Sequence, residues 1–364
     1  MDGVVRQEDG TVVSGVTVRA DGRRITVRAR VVVNAAGVWS DDVRALDEGA
    51  HPDSIRPAKG VHLTVPWAKV RNDIAVVIPV PKDKRSLFVV PWGARADGTF
   101  EHTYVGTTDT EYSGPVDEPQ CTSDDIAYVL RALNASIDPA VGGPVTVDDI
   151  TGVWAGLRPL VKRAESGRTA DLSRRHSVSR SVNDVITVTG GKLTTYREMA
   201  EDTVDQVVEL LGQRARCRTK RLRLVGAERR RDDSSGTVDA HLRGRYGSSA
   251  PVVQALIDGD PSLGLPLVDG LAYLRAEAVH AVRHEMARTL DDVLSRRTRA
   301  RLLDRRATVA AAADVARLIA PDLGWSDAEV LVQVAEFTAS VRAEQAAGTM
   351  TEAALIAHGA GLQR

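Results

Sequence analysis

One stretch, Asp184 to Asp202 (DVITVTGGKLTTYREMAED), constrains the fold of this chain more than any other. Its β-branched run from Val185 to Val188 predicts a short buried strand, which the pair Gly190-Gly191 ends. Thr195 with Glu198 predicts a capping box, and apolar residues at helical spacing follow. Such a turn aims backbone N–H groups and the positive end of the helix dipole at its ligand. We therefore predict a turn that holds an electron-rich group, and an ordinary glycine-ended strand is the alternative.

The lysine in this turn does not make it a P-loop. That motif needs Ser or Thr directly after the lysine and a glycine six positions before it. Here Leu193 follows Lys192, and Ile186 stands at the earlier position. The glycine pair must therefore serve another ligand or the fold alone.

Composition narrows the class of protein. With 364 residues, 43% of them hydrophobic, the chain predicts two or three domains with substantial cores. A formal net charge of −1 provides no global basic field, so nucleic acid is not an expected partner. Cys121 and Cys217 stand alone, which predicts neither a disulfide nor a metal site and favours a reducing compartment. No apolar run reaches the roughly 18 residues that a membrane span needs, so we expect a cytoplasmic protein.

The N-terminal segment predicts a strand pair. The first strand begins at Val12-Val13, with no helix or strand before it, and Val16 and Val18 continue its alternation. Asp21-Gly22 marks a turn, and Ile25 to Ala29 alternate after it.

A second strand–turn unit follows. Val31 to Val33 is the continuous apolar run of a buried parallel strand, and the small residues Asn34 to Gly37 end it. Ser40 can cap a short helix behind them, beside Trp39. We predict a second turn that lets a ligand approach closely, although small residues here also suit helix–sheet packing.

From Arg56 to about Arg180 the pattern predicts an antiparallel sheet with one helix. The helix covers Asp124 to Asn134 and is capped from Thr122 or Ser123. The predicted strands are short and alternating, and they cover His62–Val65, Ala75–Ile78, Ser86–Val90, Thr103–Val105, Val145–Val147 and His176–Val178.

Three polar residues of this region are candidates for chemistry, namely His62, Asp109 and Arg158. Arg158 follows a run of mostly apolar residues and precedes Pro159, so its guanidinium is expected to emerge from a sheet edge with few carboxylates nearby. A planar guanidinium held in this way suits a phosphate or carboxylate. A structural ion pair is the alternative for Arg158. A hydrogen-bonded sheet histidine is the alternative for His62.

After a polar linker at Glu228 to Gly236, the pattern is helical. One long helix is predicted from about Asp269 through Arg299. His280 and His284 are four apart, but no third ligand is near, so no metal is predicted. Six arginines crowd the end of this helix, where pairing with Asp291, Asp292 and Asp304 is one interpretation and contact with anionic lipid is another: Arg296, Arg297, Arg299, Arg301, Arg305 and Arg306.

Several separated motifs together resemble the FAD-dependent glycerol-3-phosphate dehydrogenases of aerobic glycerol metabolism. They lie in the family's order from Val31 to Arg299: VVVNAAGVWSDDV, RPAKGVHLTVP, VGTTDTEYSG, GVWAGLRPLV, TGGKLTTYREMAED and EMARTLDDVLSRRTR. A co-linear set is far more specific than any single motif. The resemblance therefore rests on most of the chain.

The resemblance implies an α/β + α fold with three domains. A partial FAD-binding α/β domain, glutathione-reductase-like, would comprise residues 1–50 and 181–215. An antiparallel-sheet substrate domain would comprise residues 51–180, and a C-terminal helical bundle residues 220–364. The strand–GxGxxG–helix unit of dinucleotide folds is not recognisable, since Gly359-Ala360-Gly361 follows no strand. In the family that unit lies upstream of the segment equivalent to Val12, so we expect an N-terminally truncated form.

The resemblance also assigns site residues. Arg158, Lys192 and His62 match substrate-site positions, and either Lys192 or His62 is the candidate catalytic base. The predicted FAD contacts come from the two glycine-containing turns: Ala36, Gly37, Trp39, Gly190, Gly191, Lys192, Leu193 and Thr194.

The implied reaction oxidises sn-glycerol 3-phosphate to dihydroxyacetone phosphate, with FAD as cofactor and a quinone or another acceptor taking the electrons. A homodimer and peripheral docking on the cytoplasmic face of the inner membrane are options that the resemblance leaves open. The alternative is a non-catalytic remnant or binding module of the same family that holds no flavin.

Overall fold

The structure is a computed structural model that describes residues 1–6, 13–20, 22–161, 175–227 and 238–362. The predicted linker at Glu228 to Gly236 lies outside the described residues, as do Val12 and Asp21. The strands are β1 Gly3–Arg6, β2 Val13–Ala20, β3 Arg23–Arg28, β4 Val32–Asn34, β5 Ile55–Pro66, β6 Val76–Pro79, β7 Ser86–Ala94, β8 Phe100–Gly106, β9 Thr110–Glu111, β10 Gly152–Val161, β11 Ser177–Arg180 and β12 Val185–Thr189.

The helices are concentrated in the C-terminal part of the chain. They are α1 Ser40–Glu48, α2 Ser123–Asn134, α3 Pro139–Gly142, α4 Tyr196–Leu210, α5 Ala240–Tyr246, α6 Ala250–Gly259, α7 Arg275–His284, α8 Ala300–Leu303, α9 Arg305–Leu323, α10 Asp327–Ala347 and α11 Glu352–Leu362. Among the described residues, no helix is both long and apolar enough to cross a membrane.

The chain divides into two compact units. The first unit comprises Met1–Gly60, Asp109–Pro119 and Gly156–Leu222, and the second comprises Val61–Thr108, Gln120–Ala155 and Arg223–Arg364. Each unit is thus built from separated segments, which short-range sequence patterns do not reveal. The three-domain division stays a prediction.

The first unit contains two three-stranded sheets. One has the order β1-β2-β3 and is antiparallel, so the expectation that no strand precedes Val13 is wrong. The other has the order β11-β12-β4, with β4 parallel to β12 as the apolar run predicted. Val33 is nevertheless 41% exposed, because β4 is an edge strand whose side chains alternate between two faces. The strand expected at His176–Val178 forms as β11, but it pairs with β12 rather than with the antiparallel sheet.

Two predicted helix caps in this unit are wrong. Thr195 precedes α4, but its hydroxyl donates to the Lys192 carbonyl at 3.0 Å and accepts from the Lys192 N–H at 3.3 Å. The hydroxyl therefore closes the short 3₁₀ turn Leu193–Thr195 and does not cap α4. Ser40 is the first residue of α1 rather than its cap, because the 3₁₀ turn Gly37–Trp39 leads directly into the helix.

The second unit contains antiparallel strands β8, β7 and β6 and the second half of β5, residues 61–66, covered by α2. Thr122, one of the two caps that the sequence predicted, caps α2 and forms a capping box with Asp125. Val145–Val147 is not a strand, because Thr146 and Asp149 form a reciprocal cap that starts a 3₁₀ turn at Val147. The apolar faces of the strands and of α2 form one core, which includes Val61, Leu63, Leu87, Val105, Val129 and Leu133.

The single long helix predicted from Asp269 to Arg299 is also wrong. Helix α7 ends at His284, a π-helix spans Asp292–Arg297, and α8 begins at Ala300. Met286 and Arg299 take positive φ values of 58° and 59°, which interrupt the helix. The apolar stripe that suggested one helix is still buried: Leu290, Val293 and Leu294 contribute to a core with α9 and α10.

Candidate flavin and substrate site

Two glycine-containing turns leave the same edge of the parallel strand pair in the first unit. Val32, Val33 and Asn34 of β4 lie opposite Val185, Ile186 and Thr187 of β12. Because both strands run in the same direction, the turns that follow them emerge at their shared carboxyl edge. In open α/β sheets, ligands bind at this edge. The structure therefore brings together the two turns that the sequence singled out separately.

Asn34 holds the first turn in place. Its Nδ2 donates to the Ser40 carbonyl at 2.9 Å and to Thr187 Oγ1 at 3.4 Å, which ties the turn to both α1 and β12. Its Oδ1 accepts from the Ala36 N–H at 3.2 Å. The side chain of Asn34 is buried, so these bonds are shielded from water. The amide thus fixes the backbone that leads to the predicted flavin contacts.

The predicted contact residues of this turn are accessible. Gly37 has a φ of 61°, a conformation that favours glycine. Trp39 is 41% exposed, and its indole N–H donates to Asp117 Oδ1 at 3.2 Å.

The second turn requires glycine at two consecutive positions. Gly190 and Gly191 have φ values of 72° and 81°, and a Cβ atom on Gly190 would lie 2.8 Å from the Arg175 carbonyl oxygen. Lys192, Leu193 and Thr194 follow with exposed side chains, and Leu193 is 88% exposed.

The donor set at this edge fits the ring side of a flavin. Leu193 and Thr194 begin the 3₁₀ turn before the 15-residue helix α4, so their backbone N–H groups are not committed to the helix. These groups and the helix dipole favour negative charge. Leu193 adds an exposed apolar surface that suits a planar aromatic ring. A site with these properties matches an electron-rich, flat ligand better than a compact phosphate.

Arg158 lies in the same unit, on β10, and takes part in an ion pair. Its Nη1 is 3.3 Å from Asp109 Oδ1, and its side chain is 29% exposed. The guanidinium lies directly against the backbone of Gly60, where a Cβ atom would come within 2.6 Å of Nη2. The structural ion pair that the sequence left open is therefore present, and it orients a guanidinium that keeps part of its surface accessible.

Sequence reasoning missed Lys59, which is the largest fully buried side chain of the chain's described part, at 2% exposure. Its Nζ lies 5.7 Å from the centroid of the Tyr112 ring, a cation–π distance. The sequence feature that could have identified Lys59 is its position within the predominantly apolar strand that carries His62.

His62 belongs to the second unit, whereas Arg158 and Lys192 belong to the first. The His62 ring stacks on Trp154 with 4.5 Å between centroids and an interplanar angle of 5°. Sequence reasoning did not identify Trp154. The catalytic roles assigned to His62, Arg158 and Lys192 stay predictions.

The other sequence candidates lie in the helical part. The His280 and His284 rings are 4.7 Å apart, and the described residues contain no cluster of three or more side chains suited to a metal. Arg296 pairs with Asp291 and Asp292 at 2.7 and 3.0 Å. Among the described ion pairs, none joins an arginine of this cluster to Asp304, so this part of the prediction is wrong. The Asp304 carboxylate instead accepts a hydrogen bond from the Ala307 N–H and so caps α9.

Glu344 forms ion pairs with two further arginines of the same cluster. It lies 2.8 Å from Arg301 and 2.9 Å from Arg305. Arg296, Arg301 and Arg305 are therefore paired with carboxylates of this chain, whereas Arg299 and Arg306 have exposed side chains.

The glycine-containing turns that follow β4 and β12 lie at one edge of a parallel strand pair, as in oxidoreductases that bind a flavin. Comparison with known proteins gives the same class. The chain belongs to the FAD-dependent oxidoreductase family, whose sequence model matches residues 2–205. The model for the C-terminal domain of alpha-glycerophosphate oxidase matches residues 217–330. The predicted fold class and family resemblance are confirmed.

Individual relatives narrow the comparison further. Glycerol-3-phosphate dehydrogenase 2 of Mycobacterium tuberculosis H37Rv is 36% identical over 354 residues, which cover 94% of this chain and 58% of that protein. Glycerol-3-phosphate dehydrogenase of Mycobacterium leprae is 36% identical over 351 residues, covering 92% and 58%. The chain thus spans 58% of the length of these curated relatives.

A solved structure shows the same fold. The glycerol-3-phosphate dehydrogenase from Bacillus halodurans, complexed with FAD, superposes with a TM-score of 0.75 and 28% sequence identity. The match covers 94% of this chain and 67% of that chain.

Proposed function

We propose that this chain takes part in the FAD-dependent oxidation of sn-glycerol 3-phosphate to dihydroxyacetone phosphate. The main observation behind the proposal is that the turns after β4 and β12 lie at the same carboxyl edge of a parallel strand pair. Support comes from the dehydrogenases at 36% identity and from the FAD-complexed structure with the same fold.

The residues that would hold the cofactor come from both turns. Ala36, Gly37 and Trp39 would form one side of the flavin site. Gly190 to Thr194 would approach the ring system, with the N-terminal end of α4 favouring the negative charge of the reduced ring. When bound, FAD supplies the hydride acceptor for the secondary alcohol of the substrate.

Substrate recognition needs a cation for the phosphate. Arg158 suits this role, because a planar guanidinium binds two phosphate oxygens at once and Asp109 restricts its orientation. Removal of hydride from a carbon that bears a hydroxyl also needs a group that takes up the hydroxyl proton. Lys192 and His62 are the two candidates for that base, and both remain open.

A quinone at the membrane would be the electron acceptor of a cytoplasmic enzyme of this kind. The exposed arginines Arg299 and Arg306 would supply the electrostatic contact with anionic lipid, on the order of 1 kcal/mol each. Sedimentation with anionic vesicles but not with neutral ones, reversed by salt, would support this docking. Equal sedimentation with both would reject it.

The central experiment separates flavin binding from substrate binding. Protein that includes an upstream strand–GxGxxG–helix unit, incubated with FAD and freed of excess flavin by gel filtration, should retain visible absorbance, which sn-glycerol 3-phosphate should bleach without oxygen. A thermal shift with glycerol 3-phosphate, lost in Arg158→Lys, reports substrate binding independently. Protein that retains no flavin and shows no shift would instead favour the non-catalytic binding module.

A further inference from the structure

A cavity of about 310 Å³ lies within the second unit. Its described lining comes from α2 and the residue two positions before that helix, from the start of β10, and from α9 and α10 with the residues that follow α10. The residues predicted to contact flavin or substrate are not among these lining residues. Pockets for small molecules in proteins begin at roughly 300 Å³, so the cavity has room for one small organic ligand.

One part of the lining is apolar. Ile126, Ile150 and Val153 line the cavity, and all three belong to the core that the sheet shares with α2. Cys121 lies in the same core, and its side chain is 2% exposed. Transfer of a hydrocarbon chain from water to such a surface is favourable. This part of the cavity therefore suits the apolar portion of a ligand.

The polar part of the lining includes an ion pair that compensates one guanidinium only partly. Arg305 Nη1 is 2.9 Å from Glu344 Oε1, while Glu344 Oε2 is 2.8 Å from Arg301. Arg301 also reaches Asp291 at 3.5 Å, whereas Arg305 has no second carboxylate partner in the described part of the chain. The side chains of Glu344 and Arg305 are 9% and 19% exposed, so water screens their charges weakly. Arg305 therefore keeps positive charge available to an anionic ligand.

We propose that this cavity binds a monocarboxylate with a short apolar chain, the carboxylate on Arg305 and the chain against Ile126 and Val153. The proposal goes beyond the proposed function and does not rest on it. With Nη1 on Glu344, the guanidinium edge formed by Nε and Nη2 can bind a second carboxylate through two parallel hydrogen bonds.

The charges of the lining favour a monoanion over a phosphate monoester. A dianion would place additional negative charge beside Glu344 and Asp148, which both line the cavity. Asp148 has an exposed side chain, so water screens its effect on a single carboxylate. Glycerol 3-phosphate, a dianion without an apolar chain, is therefore not an expected occupant.

The residues after α10 close one side of the cavity. The Met350 carbonyl accepts from the Ser123 N–H at 2.9 Å, which attaches this segment to the start of α2. Gly348 lines the cavity with a φ of −61°, a conformation open to any residue, and a Cβ atom there would lie 3.4 Å from Cδ1 of Ile126. A larger side chain at position 348 would thus occupy ligand space without backbone strain.

The first test is isothermal titration calorimetry with octanoate, octanol and octylamine. Octanoate should bind more tightly than octylamine. Arg305→Gln should weaken octanoate binding at least about tenfold through the lost charge-assisted hydrogen bonds and leave octanol binding unchanged. Gly348→Leu should weaken the binding of both. Arg342→Gln is the matched control, because Arg342 is exposed on α10 and should affect neither ligand.

Two calorimetric results would overturn the proposal. Equal affinity for octanoate and octylamine would show that the charge of Arg305 does not select the ligand. Wild-type octanoate affinity in both Arg305→Gln and Gly348→Leu would place any bound octanoate elsewhere on the protein.

The second test uses Cys121 as a reporter of occupancy. Cys217 is the other cysteine of the chain, so methyl methanethiosulfonate can modify only Cys121 in the Cys217→Ser variant, and intact mass follows the reaction. Octanoate at ten times its Kd should slow this modification about tenfold. An unchanged rate, or protection by glycerol 3-phosphate instead, would overturn the proposal. Both tests measure occupancy without turnover, so failure of the dehydrogenase assay would contradict the proposed function alone.

Discussion

The guanidinium of Arg158 rests directly against the backbone of Gly60 on β5. A Cβ atom on Gly60 would lie between 2.6 and 2.8 Å from Nη2, Nη1 and Cζ of Arg158. Gly60 has no positive φ, so this close approach, rather than backbone strain, accounts for glycine here.

Gly60→Ala should therefore displace the guanidinium and raise KM for glycerol 3-phosphate by about tenfold, the equivalent of roughly 1.4 kcal/mol. Gly156→Ala is the control, since no atom lies within 4 Å of a Cβ built on Gly156. Steady-state kinetics of both variants provide the measurement. Equal KM values would show that the position of this guanidinium does not matter to substrate binding.

Arg158→Lys tests the guanidinium itself. An ammonium cannot reproduce the bidentate contact, and one lost hydrogen bond to a charged group costs about 1.5 to 3 kcal/mol. We expect KM to rise at least tenfold, with a smaller change in kcat. Arg56→Lys serves as the control, because Arg56 pairs with Glu111 at the surface of the same unit. Wild-type kinetics in Arg158→Lys would remove Arg158 from the substrate site.

Gly190→Ala should weaken both the fold and flavin retention. The left-handed conformation costs a non-glycine residue about 1 to 2 kcal/mol, and the contact with the Arg175 carbonyl adds to this. Gly212→Ala carries the conformational cost alone, because its φ is 63° and its Cβ would meet no atom within 4 Å. Urea unfolding and flavin absorbance after gel filtration measure the two effects. A Gly190→Ala variant as stable as Gly212→Ala would contradict the steric part of this prediction.

Glu277 joins helices α5 and α7 through a buried carboxylate. It lies 2.7 Å from both His241 Nε2 and Arg245 Nε, and it accepts from the Tyr246 hydroxyl at 3.0 Å. Glu277→Gln removes the charge that compensates Arg245, so the free energy of unfolding should fall by about 3 kcal/mol. Glu336→Gln, at an exposed position, should change it by less than about 0.5 kcal/mol. Similar urea midpoints for the two variants would show that the carboxylate charge is not needed.

Two histidines make stability depend on pH. Burial lowers the pKa of His102 and of His280 below the ordinary value of 6.5. The unfolded chain therefore binds more protons than the folded one below pH 6.5, and the free energy of unfolding should decrease as the pH falls. The double variant His102→Gln with His280→Gln should flatten this dependence, measured by urea unfolding between pH 7 and pH 5. An unchanged slope would mean that these residues are not its source.

Local chemistry in the sequence determined the strand–turn–helix units. The β-branched run before Gly190, the glycine pair and the helical periodicity behind it act over a few residues, and the structure confirms the unit. The N-terminal cap of α2 could be narrowed to Thr122 or Ser123 for the same reason, since a cap acts on backbone groups two or three positions away. The helix break at Met286 was not predicted. The apolar residues on both sides of Met286 face one core, so their spacing resembles that of a continuous helix.

Tertiary structure decided the relations between residues distant in the chain. β4 and β12 are about 150 positions apart, yet their parallel pairing places both glycine turns at one edge. The stack of Trp154 on His62, the contact of Arg158 with Gly60 and the burial of Lys59 all depend on which strands become neighbours. Secondary-structure propensity and helix capping act between residues that are close in the sequence. Strand pairing instead depends on the free energy gained by burying whole apolar surfaces against the conformational entropy that the chain loses. A short stretch of sequence does not determine the difference between these two free energies.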